Sequence, residues 1–454
     1  MRRIFVWGFF VLLSLGFSLP SLRAAPSGAV ENGGLLILSL EDAVSRALDS
    51  SLNLKQSLID LSIADYSSKR LWAEIFPTIS GTGGLNYQAG NVSRDGMKFE
   101  DSNFSYSTSF GLTLNFNAGV PYAMKLLKLA YQTQLLSYED ASRQIEIETA
   151  KSFYTLIAGR ENLTQLEEAL KLAEQQFEKN QTAFGSGIIA ERTLLQSRLS
   201  VETAKYNLST AQTTYDNQMN QLLTSLGIPQ GIPVVLEGSF VIVQIDEDPE
   251  ELIREYLPRR PDIVKQRQEI ERLEYTEKRG ALSAKAPSLS LQVQWRGGSG
   301  TGGISADFTD SVSGSASISI PITPWIPGTT GAQQIRSAGA NVEKARLELQ
   351  NIEDSASAQI RSYTVNLRNS WKSLEIARLR VSIAERTYEL TEQGFRNGAV
   401  DFLDLESVRN DLASARQQLL ERERDYQITT LDLAKALNRD WRQFTVEKTK
   451  RSEG

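Results

Sequence analysis

Asn103-Phe104-Ser105-Tyr106-Ser107-Thr108-Ser109-Phe110-Gly111-Leu112-Thr113-Leu114-Asn115-Phe116-Asn117 alternates from end to end. One face would carry Phe104, Tyr106, Thr108, Phe110, Leu112, Leu114 and Phe116. The other would carry Ser105, Ser107, Ser109, Gly111, Thr113 and Asn115. A period of two held over more than a dozen residues predicts a strand with two unlike faces. Later in the chain Leu289, Leu291, Val293 and Trp295 alternate with Ser290, Gln292, Gln294 and Arg296, and Ala316, Ile318, Ile320 and Ile322 alternate with Ser315, Ser317 and Ser319. A Gly-rich stretch near 78–88 is the weakest of these four predicted strands. Polar loops are expected at about 89–102 and 297–310.

Outside the strands the period changes. Residues 331–394 contain no proline, and apolar or small residues recur at sixteen positions from 335 to 388, a mean spacing of about 3.5. That is the seam of a coiled coil. The stretch 122–183 shows similar spacing through Leu126, Leu129, Ile145, Phe153, Leu163, Leu166, Leu170, Ala173 and Phe177. Each helix would reach on the order of 95 Å, too long for a compact globule. Partner helices at about 190–226 and 402–438 return antiparallel after Gly187 and Gly398, since glycine suits a helix C-terminus.

The two sets are copies. Phe184-Gly185-Ser186-Gly187 recurs as Phe395-Arg396-Asn397-Gly398, and Leu226-Gly227 as Leu437-Asn438, both at an offset of 211. Pro77-Thr78-Ile79-Ser80 recurs as Pro287-Ser288-Leu289-Ser290. The chain is accordingly divided into a signal peptide (1–25), a first repeat of helix, two strands and a long helical hairpin (26–245), a second such repeat (246–440) and a polar C-terminal tail (441–454). The signal is read from Arg2-Arg3, the apolar run Ile4 to Leu15 and the small residues up to Ala25.

Composition narrows the function. The 454 residues include no Cys and no His, which removes disulfides, thiol nucleophiles, His-based triads and His-dependent metal sites. No metal site, cofactor or catalytic residue is expected. The formal net charge of −6 argues against a nucleic-acid partner. An exported, cysteine-free chain points to a bacterial envelope, and serine-backed strands with aromatic ends fit an outer-membrane barrel. Four strands cannot close a barrel, and an open edge in lipid leaves backbone groups unpaired. Two copies would give eight strands, and three would give twelve, enough for a water-filled lumen.

The chain resembles the TolC-type outer-membrane efflux proteins over nearly all of its mature length. Leu257-Pro258-Arg259-Arg260-Pro261-Asp262-Ile263 is similar to that family's start of the second repeat. Leu226-Gly227-Ile228-Pro229 is similar to the end of its first, and Gly398-Ala399-Val400-Asp401-Phe402-Leu403-Asp404-Leu405 resembles its hairpin tip. The resemblance implies an α+β membrane protein: a homotrimer with a twelve-stranded β-barrel, four strands per chain, above a long antiparallel helical coiled-coil barrel. A belt from about 232–256 and the two terminal segments would surround it. It implies an exit duct in the outer membrane with a periplasmic helical extension, serving tripartite efflux or type I secretion. The implied partners are outer-membrane lipid, a periplasmic adaptor protein and an inner-membrane RND or ABC pump.

The resemblance also places site residues. Counted from Gly398, Asp404 falls on the first acidic position of the family's periplasmic gate, and the second falls on Ser407. Asp401 and Glu406 are nearby acids, and Asp401 is kept with Asp404 as a gate candidate. In the first repeat the equivalent place is Thr193, close to Glu191. The family's tip arginine and tyrosine fall on Val400 and Phe395. The hairpin tips are Phe184, Gly187, Phe395 and Gly398. A ring of Asp404 carboxylates would favour cations, whereas acids in a first helical turn also suit the helix dipole. Phe104, Tyr106, Phe110, Leu112, Leu114 and Phe116 are the membrane-facing candidates. Trp295 and Trp325, with Phe104 and Phe116, are candidates for aromatic girdles. Arg259, Arg260 and Asp262 are read as bracing a helix start. The alternative from another class is an envelope coiled-coil scaffold or adhesin without a pore, its strands forming a soluble sheet.

Overall fold

The computed structural model describes residues 36–94, 97–299 and 308–446. The signal peptide assigned to 1–25 therefore lies outside the described residues. The chain begins with β1 (Leu36–Ser39), α1 (Leu40–Ser50) and α2 (Leu52–Lys69). Ser39 and Ser51 start the two helices by accepting from the backbone N–H groups of Asp42 and Leu54. Next come β2 (Thr78–Arg94), β3 (Met97–Phe116), α3 (Val120–Gly185) and α4 (Glu191–Ser225). A connecting stretch holds β4 (Val234–Glu237) and α5 (Pro249–Tyr256). The pattern then returns as α6 (Pro261–Lys285), β5 (Ser288–Ser299), β6 (Phe308–Ser319), α7 (Thr330–Arg396) and α8 (Phe402–Leu437), and α9 (Arg442–Val446) follows.

α3 and α7 have 66 and 67 residues, which at about 1.5 Å per residue makes each about 100 Å long. The buried residues of α7 are Val342, Ala345, Ala356, Ile360, Thr364, Leu367, Leu374 and Ala377. All but Thr364 stand on the seam predicted from the 3.5-residue spacing. α3 packs against α4, α7 against α8, and α3 against α8, so the helices lie in the order α4–α3–α8–α7. The strands form one sheet in the order β2–β3–β5–β6, all neighbours antiparallel.

The two apolar cores lie together near mid-length of the long helices. One gathers Ile147, Tyr154, Ile360, Leu367, Leu374, Tyr426 and Leu431, and the other Leu38, Ala47, Phe153, Ile157, Leu222, Leu226 and Leu236. The irregular strap 238–248 runs between them and is held by polar side chains. The Tyr426 hydroxyl donates to the Val243 carbonyl (2.7 Å) and accepts from the Ile245 N–H (3.1 Å), and Gln427 donates to the Val241 carbonyl. Arg368 meets Asp246 near the strap's far end, and Arg361 meets Glu250 in the first turn of α5 just beyond it. A partly covered strap without regular structure draws on such partners, because its backbone groups have no ladder. Burial also pushes the Tyr426 phenol up from its ordinary pKa, partly opposed by the Ile245 N–H.

Three expectations differ from the structure. Residues 89–94 and 97–102 are not loop: they pair as Ala89↔Ser102 through Arg94↔Met97, because a ladder needs backbone groups and not apolar side chains. Residues 297–299 likewise continue β5. Ile320 and Ile322 lie beyond β6, which ends at Ser319; Pro321 has no N–H to donate, and a short 3-10 turn at Thr323–Trp325 follows. The tail assigned to 441–454 is not uniformly polar at its start, since Trp441 and Phe444 are buried against the Tyr426 core.

Candidate membrane face and channel mouth

Residues directly opposite in an antiparallel sheet share a face, so the register defines both faces across all four strands. On one face Ile79, Leu112, Val293 and Gly314 lie in one row, and Gly81, Phe110, Trp295 and Val312 in the next. Leu114, Leu291 and Ala316 form a row below these, and Phe116, Leu289 and Ile318 the last. Tyr106 lies opposite Leu85, and Phe104 opposite Tyr87. The opposite face is hydroxyl and amide: Thr113, Gln292 and Ser315 share one row, and Ser80, Gly111, Gln294 and Ser313 another. The strand that opened the sequence reading therefore sits inside a sheet whose partners obey the same division.

The apolar face has no protein layer over it among the described residues. Ile79 is 70% exposed, Phe110 60%, Val312 72% and Ile318 71%. A sheet face this apolar and this open marks a surface for lipid or for another chain. Phe110 and Trp295 lie side by side, tilted by 31°, with ring centroids 5.8 Å apart, and Tyr106 stacks near Phe308 at 6.5 Å. Gly297 leaves room for these rings: a Cβ there would come within 2.5 Å of Phe308 and 2.9 Å of Trp295. The indole N–H of Trp295 points to Asp310 at 3.4 Å, a polar anchor at one border of the face. Trp325 stands apart from the sheet, in the 3-10 turn that leads to α7, with the Lys285 ammonium 5.0 Å from its ring.

The other end of the molecule is formed by the two hairpin tips. α3 closes with Gly187 N–H donating to Phe184 O (2.9 Å) and Ile188 N–H to Ala183 O (2.9 Å). α7 closes identically, with Gly398 N–H to Phe395 O (3.0 Å) and Ala399 N–H to Gly394 O (2.9 Å). Gly187 and Gly398 have φ of +74° and +73°, the left-handed region where a side chain would be strained. Phe395 lies 6.5 Å from Phe402, which is buried under the tip, whereas Phe184 is partly exposed.

The acids at the second tip have different commitments. Asp401 caps α8, accepting from the Asp404 N–H at 2.9 Å. Glu406 is paired with Arg409 at 2.6 Å, both largely covered. Asp404 is exposed in the first turn of α8, and among the described residues its carboxylate makes no hydrogen bond or ion pair. At the first tip α4 begins after Ala190 without a side-chain cap, and Thr193 takes the place of Asp404. Arg260, read as a brace, holds Asp262 in a two-pronged pair (3.1 and 2.7 Å) and reaches Gln359 of α7 (3.2 Å). Tyr426, Gln427 and the strap-binding arginines had no signal in periodicity or motif.

Among the described residues no group of three or more His, Cys, Asp or Glu could hold a metal, and no helix is long and apolar enough to cross a membrane.

Residues 43–228 and 252–439 match the family described as outer membrane efflux protein. The chain is 25% identical over 429 residues to the probable efflux pump outer membrane protein TtgC of Pseudomonas putida, covering 90% of this chain and 84% of that one. It is 21% identical over 365 residues to outer membrane protein TolC of Escherichia coli, covering 78% and 73%. Its fold superimposes on the CmeC outer membrane channel of Campylobacter jejuni with a TM-score of 0.72 at 19% identity, over 91% of this chain and 88% of that one. The chain belongs to the outer membrane efflux protein family: it is an outer-membrane exit channel of an efflux system, with its helical part in the periplasm, and not an enzyme.

Proposed function

We propose that three copies of this chain close one continuous duct, and that Asp404 from each copy lines its periplasmic mouth. The carrying observation is the open four-stranded sheet, with β2 and β6 as unpaired edges and a bare apolar face. In lipid both edges must find partners, and a head-to-tail contact of β6 with β2 of the next copy closes by rotation. Three copies make twelve strands, with the hydroxyl and amide face inward. The helices support the same closure. The outer helices of the layer, α4 and α7, carry exposed Leu195, Leu199 and Tyr206 on one side and Ile376, Leu379, Ile383 and Leu390 on the other. Leu195 and Leu390 each lie eight residues from their tip glycine, and Tyr206 and Leu379 each nineteen, so the two stripes stand at matching heights.

The uncommitted Asp404 carboxylate, set at the helical end of the tube, is suited to favour cations in a narrow mouth. Asp401 acts as a cap and supports that turn. The duct takes cargo from an inner-membrane RND or ABC pump through a periplasmic adaptor. The matched relatives named as efflux pump components favour this over an isolated pore. A scaffold or adhesin would leave the apolar face uncovered.

The test is cross-linking in a chain that has no native cysteine. Leu195→Cys together with Leu390→Cys, treated with a short bismaleimide in outer membranes, should give a ladder ending at three subunits. Each single variant should give none. A double variant that stays monomeric, with both thiols modified, would refute the closure.

A further inference from the structure

The inward face proposed above is neutral almost throughout. From Thr78 to Asn86 on β2, from Ser105 to Asn115 on β3 and along β5 and β6, its positions are Ser, Thr, Asn, Gln or Gly with one exception, Arg296. Farther along, beyond the rows shared with β5, the face takes in Asp101 opposite Gly90 and Arg94 opposite Met97. Arg296 lies opposite Ser109 on one side and Ser311 on the other, in a row that begins with Thr82. Thr82 and Ser109 bind each other at 2.7 Å, so their hydroxyls are already engaged. Arg296 is exposed, and among the described residues it makes no hydrogen bond or ion pair. Its neighbours in the row are small and carry no charge. The acid on this face, Asp101, stands eight residues along β3 from Ser109 and so roughly 27 Å from the Arg296 row, and Asp310 belongs to the opposite face, against Trp295.

From this we infer that Arg296 forms a threefold cationic ring in the barrel lumen, which binds carboxylate or phosphate groups of passing cargo. The inference rests on the trimeric closure proposed above. Twelve strands about 4.8 Å apart and tilted by about 40° give a circumference of roughly 75 Å and a backbone radius of roughly 12 Å. Guanidiniums reaching halfway to the axis stand roughly 10 Å from one another, about one Debye length in 0.1 M salt. Their fields therefore overlap across the lumen, and a multivalent anion can engage more than one of them. A guanidinium also presents a planar fork that matches carboxylate and phosphate oxygens. Rings of Arg or Lys are the selectivity device of anion and phosphate pores. The duct would then carry opposite charge at its two ends, acidic at the Asp404 mouth and basic in the barrel.

The experiment is single-channel recording of the full-length protein in planar bilayers, with inorganic tripolyphosphate added on the barrel side. Wild type should be blocked. Arg296→Gln should weaken the block by roughly fivefold or more in 0.1 M salt and by little in 1 M, where the Debye length is about 3 Å. Arg296→Lys should retain most of it. Equal block in wild type and Arg296→Gln would overturn the inference. Arg296→Cys with an impermeant thiol reagent separates this from failure of the trimeric reading. Three conductance steps support both statements. A three-subunit pore whose thiol is unreactive refutes the lumenal ring alone, and a pore of any other stoichiometry refutes the closure beneath it.

Discussion

The two hairpin tips have one geometry and two chemistries. Both close on a left-handed glycine with the same pair of backbone hydrogen bonds, 211 residues apart. The far ends match as well: Gly227 (φ +66°) and Asn438 (φ +52°) end α4 and α8 in the same conformation. Yet Ala190 stands where Asp401 caps, Thr193 where Asp404 is exposed, and Gln212 where Glu423 is half-buried. What both halves need to turn the chain has been kept alike. The uncommitted acid that the proposed mouth assignment uses is carried by one half. A threefold assembly of two unlike hairpins would then alternate an Asp404 position with a Thr193 position around the mouth.

The largest effect should come from the shared geometry. Gly187→Ala and Gly398→Ala each force a side chain into the left-handed region and should each cost about 1–2 kcal/mol, read as a lower melting point of the detergent-solubilised protein. A large difference between the two would break the equivalence of the tips. Next is the unlike pair Thr193 and Asp404. Asp404→Ala should weaken block by a trivalent cation about tenfold, or ~1.4 kcal/mol, and Thr193→Asp should strengthen it; bilayer recordings that show neither would remove the mouth assignment.

The caps give a smaller contrast. Asp401→Ala should destabilise by about 1 kcal/mol, and Ala190→Asp should stabilise by up to about that amount, both by thermal unfolding; loss of cation block in Asp401→Ala with unchanged stability would instead make Asp401 a pore group. The smallest effect concerns Glu423. Burial raises its carboxyl pKa, and Arg378 at 3.9 Å only partly opposes this. The folded state therefore holds the proton more tightly than the unfolded one. Its contribution is most favourable at low pH and declines as pH rises above the ordinary Glu value of about 4.3. Glu423→Gln, which installs the first hairpin's residue, should remove that downward slope; an unchanged slope in melting experiments from pH 4 to 7 would contradict it.

How much of this was legible depends on the kind of force involved. The seam of α7 was readable because side chains that bury together recur with the helix, and Ile360, Leu367 and Leu374 fell where the spacing put them. The face of β3 was readable for the same reason at period two. Residues 89–94 were missed because pairing there is carried by the backbone, while the apolar alternation that signals a strand has stopped. The strap was missed because Tyr426 holds Val243 across 183 positions, and no local pattern encodes a single long-range hydrogen bond. Of the site, Asp401 was legible as an acid at the start of a helix, but its bond to the Asp404 N–H, which makes it the cap, was not. The difference between Asp404, which is uncommitted, and Glu406, which is bound to Arg409, required coordinates.

The central claim is that one chain is a third of a pore. Native mass spectrometry of the unheated, detergent-extracted protein tests it most directly. The predicted result is a particle of three protomer masses that falls to one on heating in SDS. A monomer, or a dimer that would close only eight strands, would contradict it.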